Sequence, residues 1–275
     1  MHLGQVKPDG AVTAAIFEEG LARPIPGHNM LDLIRRGEAQ NIPLGKLAAQ
    51  LASRHPEELA PVLPVYPPEV WACGCTYETS ASFHDAEPYA YVYREARPEI
   101  FFKGTARVCV GTGQAIGIRP DSRFTAPEPA LALVLGSRGR IAGYTLANDV
   151  SARDIERENP LYLPQSKIYD GCCALGPVLV PADDMPDPCR LEMTCTITRG
   201  GSTLFSGSVS TARLHRRLET LVEYLTRANH VPCGAVLLTG TGIIVPSEAA
   251  LAPGDSVTIR VAEIGELTNH AVIME

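Results

Sequence analysis

No stretch of this 275-residue chain holds the roughly 18 to 20 consecutive apolar residues needed to cross a membrane as a helix. Its opening residues, Met1 to Gly10, also lack the basic segment and apolar run of a signal peptide. A cytoplasmic protein is therefore expected. Positive charge is in short supply as well. Twenty-four Lys and Arg face 31 Asp and Glu, a formal net charge of −7, so no nucleic acid and no membrane is expected as a partner. A small anion stays open, because a local pocket can oppose the global charge.

Several catalytic signatures are missing too. There is no H-E-x-x-H, no G-x-S-x-G nucleophile elbow, no Gly-Lys-Ser or Gly-Lys-Thr phosphate loop, and no G-x-G-x-x-G dinucleotide turn. The eight cysteines contain no paired C-x-x-C. Cys73-Gly-Cys75 and Cys172-Cys173 therefore read as reduced packing thiols rather than a structural zinc site.

What the chain has in quantity is glycine, 24 residues, and proline, 23, which demand many turns and forbid long helices. Sheets are expected to dominate. Val12 to Phe17 alternates like a strand, and Asn29 can cap a helix carrying Leu31 and Ile34 that Gly37 ends. Leu44, Leu47, Ala48 and Leu51 line one face of a second helix. Four prolines in Pro61 to Glu69 favour an extended connector, which puts a domain boundary near residue 65, between a small domain of residues 1–65 and a larger one of residues 66–275. In the larger part, Leu214, Leu218, Leu221, Val222 and Leu225 form an amphipathic helical pattern, and Val236 to Val245 and Ser256 to Val261 look sheet-like.

The chemistry-bearing residues lie beyond the boundary. Glu128 leads into the apolar run around Leu133, and Asp149 ends another apolar run; two carboxylates at strand ends suit Mg2+ or Mn2+, although a plain surface role is the ordinary reading of each. Lys103 follows Ile100-Phe-Phe102 and Lys167 sits in Pro164-Gln-Ser-Lys-Ile-Tyr169. Either can bind a carboxylate or aid proton transfer, or extend to solvent. Thr239-Gly-Thr-Gly242 offers a hydroxyl and backbone N–H groups to a small carboxylate, or is a tight connection. His84 and Asp85 make a possible acid–base pair in a loop with no nucleophile to serve. Glu78, after Tyr77, is the stronger acid–base candidate or else a hydrogen-bonded structural acid.

Together these segments resemble the fumarylacetoacetate hydrolase superfamily. The resemblance is carried by Gly143-Tyr-Thr-Leu-Ala-Asn-Asp-Val-Ser-Ala-Arg-Asp154 and Thr239-Gly-Thr-Gly242. The runs Pro67-Pro-Glu-Val-Trp71, Arg97-Pro-Glu-Ile-Phe-Phe-Lys103 and Glu158-Asn-Pro-Leu-Tyr-Leu-Pro-Gln-Ser-Lys-Ile-Tyr169 look like its branch of 2-keto-3-deoxy-D-arabinonate dehydratases. The resemblance implies an α+β, mixed β fold, a β-roll with a small N-terminal α/β domain, in a homodimer or higher homo-oligomer. It implies Mg2+, or Mn2+, held by Glu128, residue 130 and Asp149. Residue 130 is Ala, so the cation site is expected to be weakened.

The implied reaction is metal-dependent dehydration of a small 2-oxo acid, 2-keto-3-deoxy-D-arabinonate or a related sugar acid, to 2,5-dioxopentanoate. By the same resemblance Glu78 belongs to a water or proton relay, Lys103 and Lys167 stabilise substrate charge and the enolate, and Thr241 takes the substrate carboxylate. Arg94, Arg97 and Tyr169 line the pocket wall. Two alternatives stay open: hydrolysis of an acylpyruvate C–C bond, and a ligand-binding pseudoenzyme, which Ala130 favours.

Overall fold

Leu131, Leu133 and Leu135 alternate along Pro129–Leu135 with Ala130, Ala132 and Val134, and this strand is buried on both of its faces. Each face belongs to a different core. The three leucines pack with Met193, Ile197, Val257, Ile259 and Leu267, and the smaller residues pack with Leu33, Ile34, Leu47 and Leu175. The computed structural model describes residues 1–83 and 87–275, with side chains described outside 81–90.

The central element is a ten-stranded sheet. From one edge its order is Leu21–Ile25, Thr13–Glu18, His2–Val6, Cys173–Pro181, Ile141–Asp149, Pro129–Leu135, Val236–Leu238, Val70–Gly74 and Glu99–Gly104, with the short Cys109–Val110 paired in parallel to Cys173–Pro181. Most neighbours are antiparallel, but Val236–Leu238 runs parallel to Val70–Gly74, so the sheet is mixed. A five-stranded sheet, in the order Ser202–Ser210, Glu192–Arg199, Ser256–Val261, Gly265–Ile273, Ala115–Ile118, supplies the partners of the leucine face. Helices Met30–Gln40 and Leu44–Leu51 supply residues to the other core. The architecture is the expected α+β, mixed β one. The extended residues 61–69 lie between strands of one sheet: His2–Val6, from before them, is hydrogen-bonded beside Cys173–Pro181.

Local signals explain most boundaries. Asn29 caps the first helix in a reciprocal box with Asp32, 3.0 and 3.2 Å. The expectation that Gly37 ends this helix is corrected: Gly37 lies inside it, and Asn41, at φ 52°, terminates it in the left-handed region. Leu214 precedes the amphipathic helix, which spans Leu218–Thr226. Of the run from Val236 to Val245, Val236–Leu238 alone is strand, because Gly240 turns at φ +90°. A side chain there would strike the Thr76 hydroxyl. Among the described residues, no helix is long and apolar enough to cross a membrane.

Candidate active site

Two acids meet at one end of the large sheet because of strand register. Ala147 lies opposite Ala130 and Asn148 opposite Pro129. The ladder runs one step further, where the Asp149 N–H donates to the Glu128 carbonyl, 2.9 Å. The Asn148 side-chain oxygen accepts the Glu128 N–H, 3.1 Å, and a two-stranded ribbon, Thr125–Ala126 with Ser151–Ala152, holds the flanking segments together. Glu128 and Asp149 then share cationic partners.

Lys167, 4% exposed at the end of helix Leu163–Lys167, donates to Glu128 Oε2 at 2.9 Å and to Ser151 Oγ at 2.6 Å. Asp149 Oδ2 and Glu156 Oε2 stand further away, at 3.7 and 3.8 Å. An ammonium carries three N–H donors, so one is left for a ligand. Lys103 differs. It is 0% exposed, pairs with Asp149 Oδ1 at 2.5 Å and donates to the carbonyls of Val150, 3.1 Å, and Lys167, 2.5 Å. It is thus held by one ion pair and two main-chain carbonyls.

Beside Lys167 is a narrow cavity of about 30 Å³ lined by Cys73, Gly74, Cys75, Ser80, Glu99, Phe101, Glu128, Arg153, Glu156, Lys167, Thr241 and Ile244. That volume is too small for a whole five-carbon acid, so it can receive only one end of such a molecule. A wider groove of about 570 Å³, lined by Tyr91, Val92, Arg97, Ile100, Pro160 and Leu163 among others, adjoins it, with Glu99 on the wall of both.

The acids of the cavity differ in proton affinity. Burial works against ionised Glu128, but Lys167 and Arg153, the latter 3.1 Å from its Oε1, hold its carboxyl at about 2. Burial, followed by the charge of Glu156, raises Glu99, and burial likewise raises Glu156. Lys167 moves the other way: burial penalises its charge, yet Asp149, Glu128 and Glu156 outweigh that and raise it well above the usual lysine range. The surroundings thus favour the charged forms of Lys167 and Glu128, whereas Glu99 and Glu156 bind a proton more readily than an ordinary carboxylate.

Glycine at position 74 makes room for the Glu99 carboxylate, which a methyl group there would overlap. Gly74 has no positive φ, so alanine fits the backbone. Gly74→Ala is expected to lower turnover by about 10- to 100-fold by displacing Glu99, with an unfolding midpoint close to the parent's. Unchanged kcat would show that the position of this carboxylate does not matter.

The structure brings Glu128, Lys167 and Thr241 to one cavity, with Asp149 behind the two lysines. The Thr241 hydroxyl is 3.2 Å from both the N–H and the carbonyl of Ile243, and this turn fixes its place on the wall. Other expectations are corrected. Lys103 does not line the cavity: it is fully buried, paired with Asp149 and bonded to two main-chain carbonyls. Glu78 is exposed at the start of helix Glu78–Phe83, outside the lining. Arg94 is exposed at the end of helix Glu87–Arg94, and Arg97 is exposed on the adjoining groove with its guanidinium 5.5 Å from the Tyr224 ring centre. The Tyr169 ring lies 6.0 Å from the Lys103 ammonium, away from the cavity lining. His84 and Asp85 fall outside the residues whose side chains are described.

Glu99, Glu156, Arg153 and Ser151 were not anticipated. Alternation along Glu99–Gly104 puts Glu99 and Phe101 on the same face as Lys103, and helix spacing puts Glu156 one turn beyond Arg153. Those two periodicities were the available signal.

A sequence model of the fumarylacetoacetate (FAA) hydrolase C-terminal region matches residues 69–272. The chain belongs to the fumarylacetoacetate hydrolase family. Within the family, a 2-dehydro-3-deoxy-D-arabinonate dehydratase of Saccharolobus solfataricus is 48% identical over 213 residues, covering 74% of this chain and 72% of the relative. A probable 2-keto-3-deoxyxylonate dehydratase of Haloferax volcanii is 46% identical over 212 residues, 75% and 73% of the two chains. A solved structure of 2-keto-3-deoxy-D-arabinonate dehydratase, complexed with magnesium and 2,5-dioxopentanoate, matches with a TM-score of 0.86 at 38% identity and covers 100% of both chains.

The family likeness implies a divalent cation, and the residues present do not fit one. Position 130 of this fumarylacetoacetate hydrolase homologue offers a methyl group, 1% exposed, in the apolar layer with Ala132, Val134 and Ala147. Each oxygen of Glu128 and Asp149 already faces a cationic nitrogen of Arg153, Lys167 or Lys103. Among the described residues, no three His, Cys, Asp or Glu side chains are disposed to hold a metal ion. Mg2+ needs near-octahedral oxygen ligation at about 2.1 Å, and this arrangement supplies none of it without dismantling the ion pairs.

Proposed function

We propose that this chain is a hydro-lyase that removes water from a 2-keto-3-deoxy sugar acid of the 2-keto-3-deoxy-D-arabinonate kind and yields 2,5-dioxopentanoate. The observation that carries the reading is the Lys167 ammonium, with one N–H left for a ligand, in a cavity that also holds two carboxyl groups of raised proton affinity. The two dehydratase relatives, at 48% and 46% identity, support the substrate class.

In this reading the 2-oxo oxygen accepts the remaining Lys167 N–H, and the substrate carboxylate lies toward Thr241 and Arg153. Ionised Glu99 takes a proton from C3, and the negative charge that develops on the 2-oxo oxygen is stabilised by Lys167. The same carboxyl, now protonated, returns its proton to the C4 hydroxyl, which leaves as water while the C3–C4 double bond forms. Tautomerisation through the C5 hydroxyl then gives the aldehyde of 2,5-dioxopentanoate. Phe101, whose ring centre is 5.5 Å from the Lys167 ammonium, keeps that side of the site dry.

The test is turnover of 2-keto-3-deoxy-pentonates, with 2,5-dioxopentanoate as the product detected. Glu99→Gln is expected to cut kcat by about 10²- to 10⁴-fold, the usual contribution of a positioned proton-transfer group. Cleavage of an acylpyruvate with no dehydration of either the arabinonate or the xylonate derivative would replace this reading by a C–C hydrolase.

A further inference from the structure

We propose that the Lys167 ammonium takes the place of a divalent cation at this site, so that the chain binds 2-oxo acids without metal. The proposal builds on the functional reading above, since it concerns the ligand-binding end of the same cavity.

Three independent features point to it. The first is position 130, where a methyl group sits in an apolar layer in place of an anionic ligand. The second is the environment of Lys167 Nζ. It has Glu128 Oε2 at 2.9 Å and Ser151 Oγ at 2.6 Å, Asp149 Oδ2 at 3.7 Å and Glu156 Oε2 at 3.8 Å. Four oxygens from three segments thus surround one positive charge, the ligand type and charge that a hard cation would have drawn. The third is the fixing of that ammonium. The Lys167 carbonyl accepts from Lys103 at 2.5 Å, and Arg153 holds the other Glu128 oxygen at 3.1 Å, so neither Lys167 nor its principal partner is free to swing away.

The substitution has a chemical consequence for the ligand. A metal chelates a 2-oxo acid through two oxygens at once, whereas an ammonium offers its single remaining N–H to one. The second oxygen then has no cation of its own, and the Arg153 guanidinium, bonded to Glu128 Oε1 and the Val245 carbonyl, places a second positive charge on the same cavity wall. The site should therefore accept 2-oxo monocarboxylates and gain nothing from Mg2+ or Mn2+.

The experiment is isothermal titration of EDTA-stripped protein with pyruvate and, separately, with Mn2+. Pyruvate carries the 2-oxo acid group and no C4 hydroxyl, so the outcome does not depend on dehydration. Stripped parent protein is expected to bind pyruvate with a Kd that changes less than about twofold when Mg2+ is added. Lys167→Gln is expected to lose that binding, and Ala130→Glu to gain Mn2+ binding by about 10-fold or more. The parent arms suffice if the Ala130→Glu variant fails to fold. Stoichiometric Mn2+ binding by the parent at micromolar concentration, pyruvate binding that requires the cation, or no pyruvate binding with or without it would each overturn the proposal. Metal-free pyruvate binding with no dehydration of any 2-keto-3-deoxy-pentonate would remove the hydro-lyase reading and leave this one standing.

Discussion

Lys167→Met is expected to abolish dehydration, with kcat/KM at least about a thousandfold below the parent. The expected size follows from the role proposed for the ammonium: a single preorganised donor aimed at a developing oxyanion contributes about 10²- to 10³-fold, and the same group also bonds Glu128. The variant leaves Glu128, Asp149 and Glu156 clustered without their shared cation, so a loss of about 3–5 kcal/mol in stability is expected alongside. Single-turnover kinetics at low temperature, with folding verified by circular dichroism, separate the two effects. A folded Lys167→Met protein with more than a tenth of parental turnover would remove Lys167 from the chemistry.

Lys103→Met is expected to show its main effect on stability, about 3–5 kcal/mol in urea denaturation, because it strands the buried Asp149 carboxylate and two main-chain carbonyls. The companion measurement is a double-mutant cycle. Adding Asp149→Asn to Lys103→Met should restore part of the loss, so the two substitutions together cost less than the sum of each alone. Strict additivity would mean that the 2.5 Å pair contributes nothing beyond its neighbours.

The fold was legible wherever local chemistry acts alone. Asn29 before Leu31 and Ile34 announces a capped helix, the apolar run around Leu133 announces a buried strand, and the four prolines after residue 60 announce an extended segment. The site was legible in part for the same reason. Glu128, Lys167 and Thr241 sit in recognisable runs, and they meet in space because strand register carries them to one sheet end. The misplacements have a different origin. Glu78 ends a segment rich in small residues, but nothing in the sequence says which way the following helix turns it, and it faces outward. Lys103 follows two phenylalanines and is buried, yet whether a buried amine points at a ligand or at main-chain carbonyls depends on residues 47 and 64 positions away. Glu99 shares its strand with Lys103, whose charge amid apolar neighbours is the more conspicuous of the two.

The pairing of His2–Val6 with Cys173–Pro181 has a consequence for the chain as it is made. Synthesis runs from the N-terminus, so the first three strands and two helices emerge long before the strand they lean on. Their apolar residues Leu3, Ile16, Leu33 and Leu47 belong to a core whose other half includes Leu175 and Leu179. Until those residues leave the ribosome, the early segment has an open sheet edge and an uncovered apolar face, the features that draw nascent chains into aggregates or onto chaperones. Lys103 waits in the same way, as a hydrated amine, until Lys167 has been added. The candidate site is consequently a late product of biosynthesis, and release of the chain short of about residue 180 would yield neither a stable N-terminal fragment nor a partial site.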